Sequence, residues 1–138
     1  MQPQRNTQTA INEELETIDH KIIDGKLVAM KIRAEVAVRV DRLVEKGLRP
    51  KIASISVGDN SAVSVYIRNQ KNAAESVGID FDHLNLVASI GEDGLLEKIQ
   101  QLNASSSVTG IIIQRPIPDD ISIKKVQTAI NPCKDIEG

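Results

Sequence analysis

Aromatic residues are nearly absent from this 138-residue chain, which has one tyrosine, one phenylalanine and no tryptophan. Its core must therefore be built from Ile, Val, Leu and Ala, a composition rich in the β-branched residues that favour strands. With a single cysteine, Cys133, no intrachain disulfide can form, and a lone thiol fits a reducing compartment. Cys133, His20 and His83 do not make a ligand set for zinc, so no metal is expected. Positive charge is not in excess either: 17 basic and 19 acidic residues leave a net charge of −2, and the two signs are interspersed. No basic surface for nucleic acid follows from that balance. Long apolar runs are missing, and the polar start Met1-Gln2-Pro3-Gln4-Arg5-Asn6-Thr7-Gln8 lacks the apolar centre of a secretory signal. The chain reads as cytoplasmic, without a membrane partner, and residues 1–20 read as a loosely ordered tail. The oligomeric state is left open, a homodimer included.

What is present is the length of one domain, large enough for a real core. Residues 13–20 form either a short helix or an extended lead-in. From Gly25, Val28, Ile32, Val36, Val40 and Leu43/Val44 recur at spacings of four and three, an apolar stripe along a helix of about five turns. Gly47 ends it and Arg49-Pro50 breaks the chain. Residues 51–57 read as a buried strand. After the Gly58-Asp59-Asn60 turn, Asp59, Asn60 or Ser61 caps a helix that stops at Gly78. Residues 79–87 form a second strand with a broken alternation, on which His83 reads as an ordinary polar residue. Gly91-Glu92-Asp93 opens a helix with the stripe Leu95, Leu96, Ile99 and Leu102. Residues 108–114 form a third strand, stopped by Pro116 and Pro118. Asp119 or Ser122 caps a last helix carrying Ile123, Val126, Gln127 and Ile130.

Strands alternating with helices of this length specify parallel pairing through right-handed crossovers. The expected fold is α/β, a three-layer sandwich with a small, mainly parallel sheet flanked by helices. Ligands bind such sheets beyond the carboxyl ends of the strands, which is where both Gly58-Asp59-Asn60 and Gln114-Arg115 lie. Projected at about 100° per residue, the helix after Asn60 puts Val63, Tyr66, Ile67, Gln70, Ala74 and Val77 on one face. Tyr66 there serves either packing or chemistry. Gln70 on an apolar stripe either finds a polar partner or lines a polar cleft, because burying an unpaired amide costs about 1–3 kcal/mol. Lys71 points away from that face.

Three blocks occur together: Val57-Gly58-Asp59-Asn60 with Ala62 and Tyr66, then Gly110-Ile111-Ile112-Ile113-Gln114-Arg115-Pro116-Ile117-Pro118, then Pro132-Cys133-Lys134-Asp135-Ile136-Glu137-Gly138. With Ile22-Ile23-Asp24-Gly25-Lys26 near the start, their order and spacing resemble the catalytic domain of the bifunctional methylenetetrahydrofolate dehydrogenase/cyclohydrolase family. The resemblance implies a folate-binding catalytic domain over residues 21–138, handling 5,10-methylene-, 5,10-methenyl- and 10-formyltetrahydrofolate. It implies that Tyr66 stacks on the folate ring system and that Ile113, Gln114, Arg115 and Pro116 border the substrate. It also implies that Gln114 orients the acid/base lysine, and that an aspartate in the last block holds the pterin edge. Two positions depart from the family: Gln70 stands at the lysine and Glu137 at the aspartate. Glutamine does not titrate near neutral pH, so the cyclohydrolase step is expected to be impaired. Gln70, Gln114 and Glu137 are the candidate catalytic residues, and Gln70 and Glu137 also join the substrate-binding set. Arg115, where the family has an apolar residue, faces a glutamate tail, a phosphate or solvent. No Gly-x-Gly-x-x-Gly occurs, so NADP is expected only in a full-length parent with a cofactor domain and not on this chain alone. The alternative is a non-catalytic folate- or partner-binding module of the same fold.

Overall fold

A computed structural model describes residues 24–138. The tail expected at 1–20, and the helix or lead-in at 13–20, lie outside the described residues. The chain divides after Arg33 into two compact units. In the first, Asp24 begins helix α1 (Gly25–Glu45), whose residues from Ala34 onward belong to the second unit: the Asp24 Oδ1 accepts the Lys26 and Leu27 amides at 3.1 and 3.5 Å, satisfying donors that a helix start leaves free. The helix has the expected length, but its apolar stripe is not a buried one. Val28, Ile32, Leu43 and Val44 are exposed, and Val40 is the residue of α1 that is buried.

The second unit also carries every other element. Strand β1 (Lys51–Val57) is followed by α2 (Ser61–Ser76), β2 (Asp80–Leu86), a 3-10 turn (Ala88–Ile90), α3 (Gly91–Ala104), β3 (Gly110–Ile113) and α4 (Ile123–Ala129). The strands are all parallel in the order β2-β1-β3, with Ser54 level with both His83 and Ile112. Successive side chains of a strand face opposite ways, and β1 uses both faces. Ala53, Ile55 and Val57 join Leu95 and Ile99 of α3, Val126 of α4, and Ile111 and Ile113 in the main core. On the other side, Ile52 joins a smaller cluster of Ile67, Ala74 and Phe81 beneath α2. This is the expected three-layer α/β arrangement, with helices on both sides of a small parallel sheet.

The broken alternation of β2 has a simple origin. Its carboxyl half packs Leu84 and Leu86 against the main core, whereas its amino half places Asp80 and Asp82 where Arg49 and Lys51 reach them at 3.0 and 2.7 Å. Strand β3 is shorter than expected because Thr109 departs from regular pairing: its amide donates to Lys51 O, but its side-chain oxygen accepts from Lys51 N at 3.0 Å. Among the described residues, no helix is long and apolar enough to cross a membrane.

Helices α3 and α4 are fastened at both ends. Asn103 donates to Ala129 O and accepts from Asn131 N at 2.8 and 2.9 Å. Glu92 accepts the Ser122 amide at 2.8 Å and the Lys125 ammonium at 3.0 Å. Those bonds, Ser122 first and Lys125 second, hold the Glu92 carboxyl below the usual glutamate range. A carboxyl depressed in the fold adds stability above its unfolded value and loses it as pH falls through the folded one. Glu92→Gln is therefore expected to flatten the acid side of the stability curve, checked by urea midpoints at about pH 7 and about pH 3. An unchanged acid slope in the variant would refute this.

Candidate functional site

Strand β1 is followed by Gly58, whose φ of +84° is a conformation that glycine adopts without the penalty a side chain would bring. Its amide bonds Leu86 O at 2.8 Å, so the turn leaves the sheet in register with the neighbouring strand. Asn60 then caps α2, its Oδ1 accepting the Ala62 and Val63 amides at 3.1 and 3.4 Å. Of the three candidate caps, this is the one used. Gly78, at φ +86°, follows the end of α2 as expected.

Helix α2 buries Ile67 and Ala74 and half-buries Gln70. Tyr66, expected on the inward face, is 60% exposed. Stepping at about 100° per residue puts Tyr66 about 60° from the middle of the buried stripe, at its border. Its ring is presented to solvent and not to the core. Lys71 is exposed and lies 3.8 Å from Glu75 on the outer face, as its azimuth requires.

Gln70 has a partner. Its Oε1 accepts from Gln114 Nε2 at 2.6 Å, across 44 residues of sequence. Gln114, 4% exposed, sits one residue past β3, where its amide bonds Ile55 O at 2.8 Å. The same Nε2 donates to Ser54 Oγ at 2.9 Å. Ser54 in turn lies 3.2 Å from His83 Nδ1, and His83 Nε2 lies 3.0 Å from Ser56 Oγ, which donates to Asn85 Oδ1 at 3.0 Å. A line of polar side chains thus crosses the sheet on the side of α2. Partial burial pushes the His83 imidazole below its usual value, and the contact with Ser54 acts the other way.

The remaining candidates lie elsewhere. Ile113, Arg115, Glu137 and Gly138 line a cleft of about 280 Å³ together with Gln127 and Asp135. Pro116, joined to Arg115 by a cis peptide, borders a second cleft of about 210 Å³ with Ser56, Asp59, Asn60, His83 and Asn85. The sequence blocks therefore resolve into the Gln70–Gln114 pair under α2 and the Arg115–Glu137 cleft beyond β3.

The last block is placed by two local devices. Asp135 pairs with Ile111 as a short parallel extension of the sheet, and its Oδ1 accepts the Glu137 and Gly138 amides at 3.2 and 3.1 Å. Gly110 leaves room for this segment, since a Cβ there would overlap Ile136 Cδ1 and stand 2.6 Å from its Cγ1. Lys134 acts structurally, since its Nζ donates to Leu102 O and Ser105 O at 3.0 and 2.6 Å and so satisfies carbonyls at the end of α3. Lys134→Met is expected to cost about 2 kcal/mol, because hydrogen bonds to a charged group contribute about 1.5–3 kcal/mol. Chemical denaturation measures it, and a loss below about 0.5 kcal/mol, the size of an ordinary surface change, would show the contact to be incidental.

Sequence reasoning passed over Ser54, Ser56 and Asn85 and read His83 as an ordinary polar residue. The signal was present in Ser54 and Ser56 alternating with apolar residues in a strand read as buried, and in His83 and Asn85 two apart on the next strand. Only the register brings the two pairs level. Among the described residues there is no group of three or more His, Cys, Asp or Glu able to hold a metal.

Comparison with known proteins bears on this geometry. The sequence model of the tetrahydrofolate dehydrogenase/cyclohydrolase catalytic domain matches residues 23–137. The bifunctional protein FolD 2 of Mesorhizobium japonicum is 48% identical over 122 residues, covering 87% of this chain and 39% of the relative. A 5,10-methylenetetrahydrofolate dehydrogenase structure from the silkworm Bombyx mori superposes with a TM-score of 0.80 at 45% identity, covering 85% of this chain and 41% of that one. The Trypanosoma brucei methylenetetrahydrofolate dehydrogenase-cyclohydrolase, solved with NADP cofactor and inhibitor, gives a TM-score of 0.75 at 29% identity, covering 83% and 39%. The chain thus spans about two fifths of the length of the relatives it matches.

Proposed function

This chain belongs to the tetrahydrofolate dehydrogenase/cyclohydrolase family through that family's catalytic domain, and from this we propose that it forms the folate-binding part of a methylenetetrahydrofolate dehydrogenase/methenyltetrahydrofolate cyclohydrolase whose cyclohydrolase step is impaired. The observation that carries the reading is the 2.6 Å contact between Gln70 and Gln114. Two neutral amides hold the place where a proton would have to be moved. An amide can orient a substrate oxygen or a water, but it does not exchange a proton near neutral pH.

In this reading Tyr66 offers an exposed ring for stacking, Gln70 and Gln114 orient the reacting edge, and Glu137 holds the pterin through its carboxylate. Ile113 and Pro116 border the substrate. Arg115 is exposed in the cleft that Glu137 also lines, too near the pterin's anchor to meet the glutamate tail at the far end of a folate, and its guanidinium is left to solvent. We place NADP in a longer parent protein. The described residues suit a pyrophosphate poorly: Asn60 already takes the first free amides of α2, and the Asp59 carboxylate borders the same turn. Hydride acceptance is chemistry that the nicotinamide supplies when bound, and Gln70 does not interfere with it. The free, exposed Cys133 agrees with a cytoplasmic setting.

Titration of this chain with 5-formyltetrahydrofolate tests the assignment. Binding is expected, and Tyr66→Ala is expected to weaken it by about three- to tenfold, the worth of one aromatic stack. Absence of binding, or an affinity indifferent to Tyr66, would remove the folate reading. The absence of a titratable side chain in the Gln70–Gln114 pair also favours a second reading, a non-catalytic folate-binding module; binding with no turnover of either folate reaction in the parent protein selects it.

A further inference from the structure

The polar line across the sheet has a direction, and it ends on the two glutamines. At its exposed end the Ser56 hydroxyl donates to Asn85, leaving the Ser56 oxygen to accept. His83 Nε2 faces that oxygen at 3.0 Å and so carries the ring proton. His83 Nδ1 is then an acceptor, and the Ser54 hydroxyl, 3.2 Å away, donates to it. Ser54 has no exposed surface, and its remaining lone pair takes one hydrogen of Gln114 Nε2. The second hydrogen of that amide goes to Gln70 Oε1. From Ser56 to Gln114 each hydrogen of the line meets an acceptor, and among the described residues no buried side-chain nitrogen or oxygen lacks a partner.

We propose that Asn85, Ser56, His83 and Ser54 are positioning residues that fix the orientation of both amides, so that the site presents the Gln70 NH2 as donor and the Gln114 carbonyl as acceptor. That pair suits a ligand that sets a hydrogen-bond acceptor beside a donor. The identity of the ligand rests on the folate reading above; the orientation of the amides does not.

The device responds to protonation. A charged His83 donates from both nitrogens, so Ser54 must accept from Nδ1 and turn its own hydrogen toward Gln114. Gln114 then rotates to offer its carbonyl inward, and Gln70 turns to donate to it. Donor and acceptor exchange places at the ligand edge. The surroundings of His83 leave few other groups able to act in this way. Strand β1 contributes Ser54 and Ser56, α2 contributes Val63 and Ile67, and Asp82 on β2 is paired with Lys51. Asp59, which lines the same cleft, is the charged group to control for.

Nitrogen NMR on the chain tests this without any ligand. Neutral His83 is expected in the Nε2–H form, and the Gln114 side-chain NH2 signal is expected to move with the same midpoint as the His83 ring. In Ser54→Ala the ring still titrates while the Gln114 signal stays still. Because Ser54 is buried, the exposed Asn85→Ala provides a second arm in which freed Ser56 lets the ring populate both neutral forms. Asp59→Asn is expected to leave the coupling intact. An Nδ1–H ring in the parent chain, a Gln114 signal that ignores His83, or one that follows Asp59 would overturn the proposal. Affinity for 5-formyltetrahydrofolate is expected to change about tenfold between about pH 5 and about pH 8, and by less than about twofold in Ser54→Ala. The NMR coupling together with no folate binding supports the positioning and refutes the folate reading instead.

Discussion

Gln70→Lys is expected to raise the hydrolysis of methenyltetrahydrofolate by about 10²- to 10⁴-fold, the range over which a positioned general acid/base acts. The position is prepared for it. Gln70 lies one helical turn from Tyr66 and already reaches Gln114 at 2.6 Å, so a lysine there would bring an ammonium to the same amide. An ammonium only donates, so Gln114 must turn its carbonyl toward it. Ser54 then donates to that carbonyl as well, and His83 must supply a proton from Nδ1. The variant is thus expected to shift the neutral His83 ring to the Nδ1–H form. Decay of methenyltetrahydrofolate absorbance, followed with the domain in its parent protein, measures the gain. Robust hydrolysis before the substitution would contradict the impairment, and a variant that binds folate as before yet gains nothing would show that more than the lysine is missing.

Ile55→Ala is expected to destabilise the domain by about 2–5 kcal/mol, the range seen when a buried Ile or Leu is cut to Ala. Ile55 has no exposed surface and belongs to the main core. It sits on the middle strand, level with Leu84 on one side and Ile113 on the other, and its carbonyl accepts the Gln114 amide. With a single phenylalanine and no tryptophan in the chain, core volume comes from aliphatic side chains, and a missing one is not easily refilled by a large neighbour. Against a typical total of about 5–15 kcal/mol, such a loss brings the domain near its unfolding threshold. Urea denaturation gives the value, and a cost below about 1 kcal/mol would mean that the core collapses around the gap.

Much of the fold is legible in the amino-acid sequence. Helical periodicity and the glycines at 47 and 78 mark the helix ends, and the prolines at 116 and 118 mark the end of the third strand, because those signals act within a few residues. The crossover rule then implies parallel strands and a cleft at their carboxyl ends. Two readings fall short for reasons of geometry. The stripe of α1 predicts an apolar face but not whether anything covers it, and Val28 and Ile32 are exposed. Tyr66 falls on the border of the α2 stripe, where one step of rotation decides between core and solvent.

The sequence by itself determined the order of strands and helices along the chain, narrowed the caps of α2 and α4 to a few residues each, and fixed that residue 70 carries no titratable proton. Those follow from local chemistry and from side-chain identity. Only the tertiary structure decided that Gln70 meets Gln114, that Gln114 rests on a serine 60 positions away, and that His83 stands behind that serine. It also separated the Arg115–Glu137 cleft from the glutamine pair. Such contacts depend on which strands pair and in what register, and a shift of one residue would turn Ser54 and His83 to the opposite face.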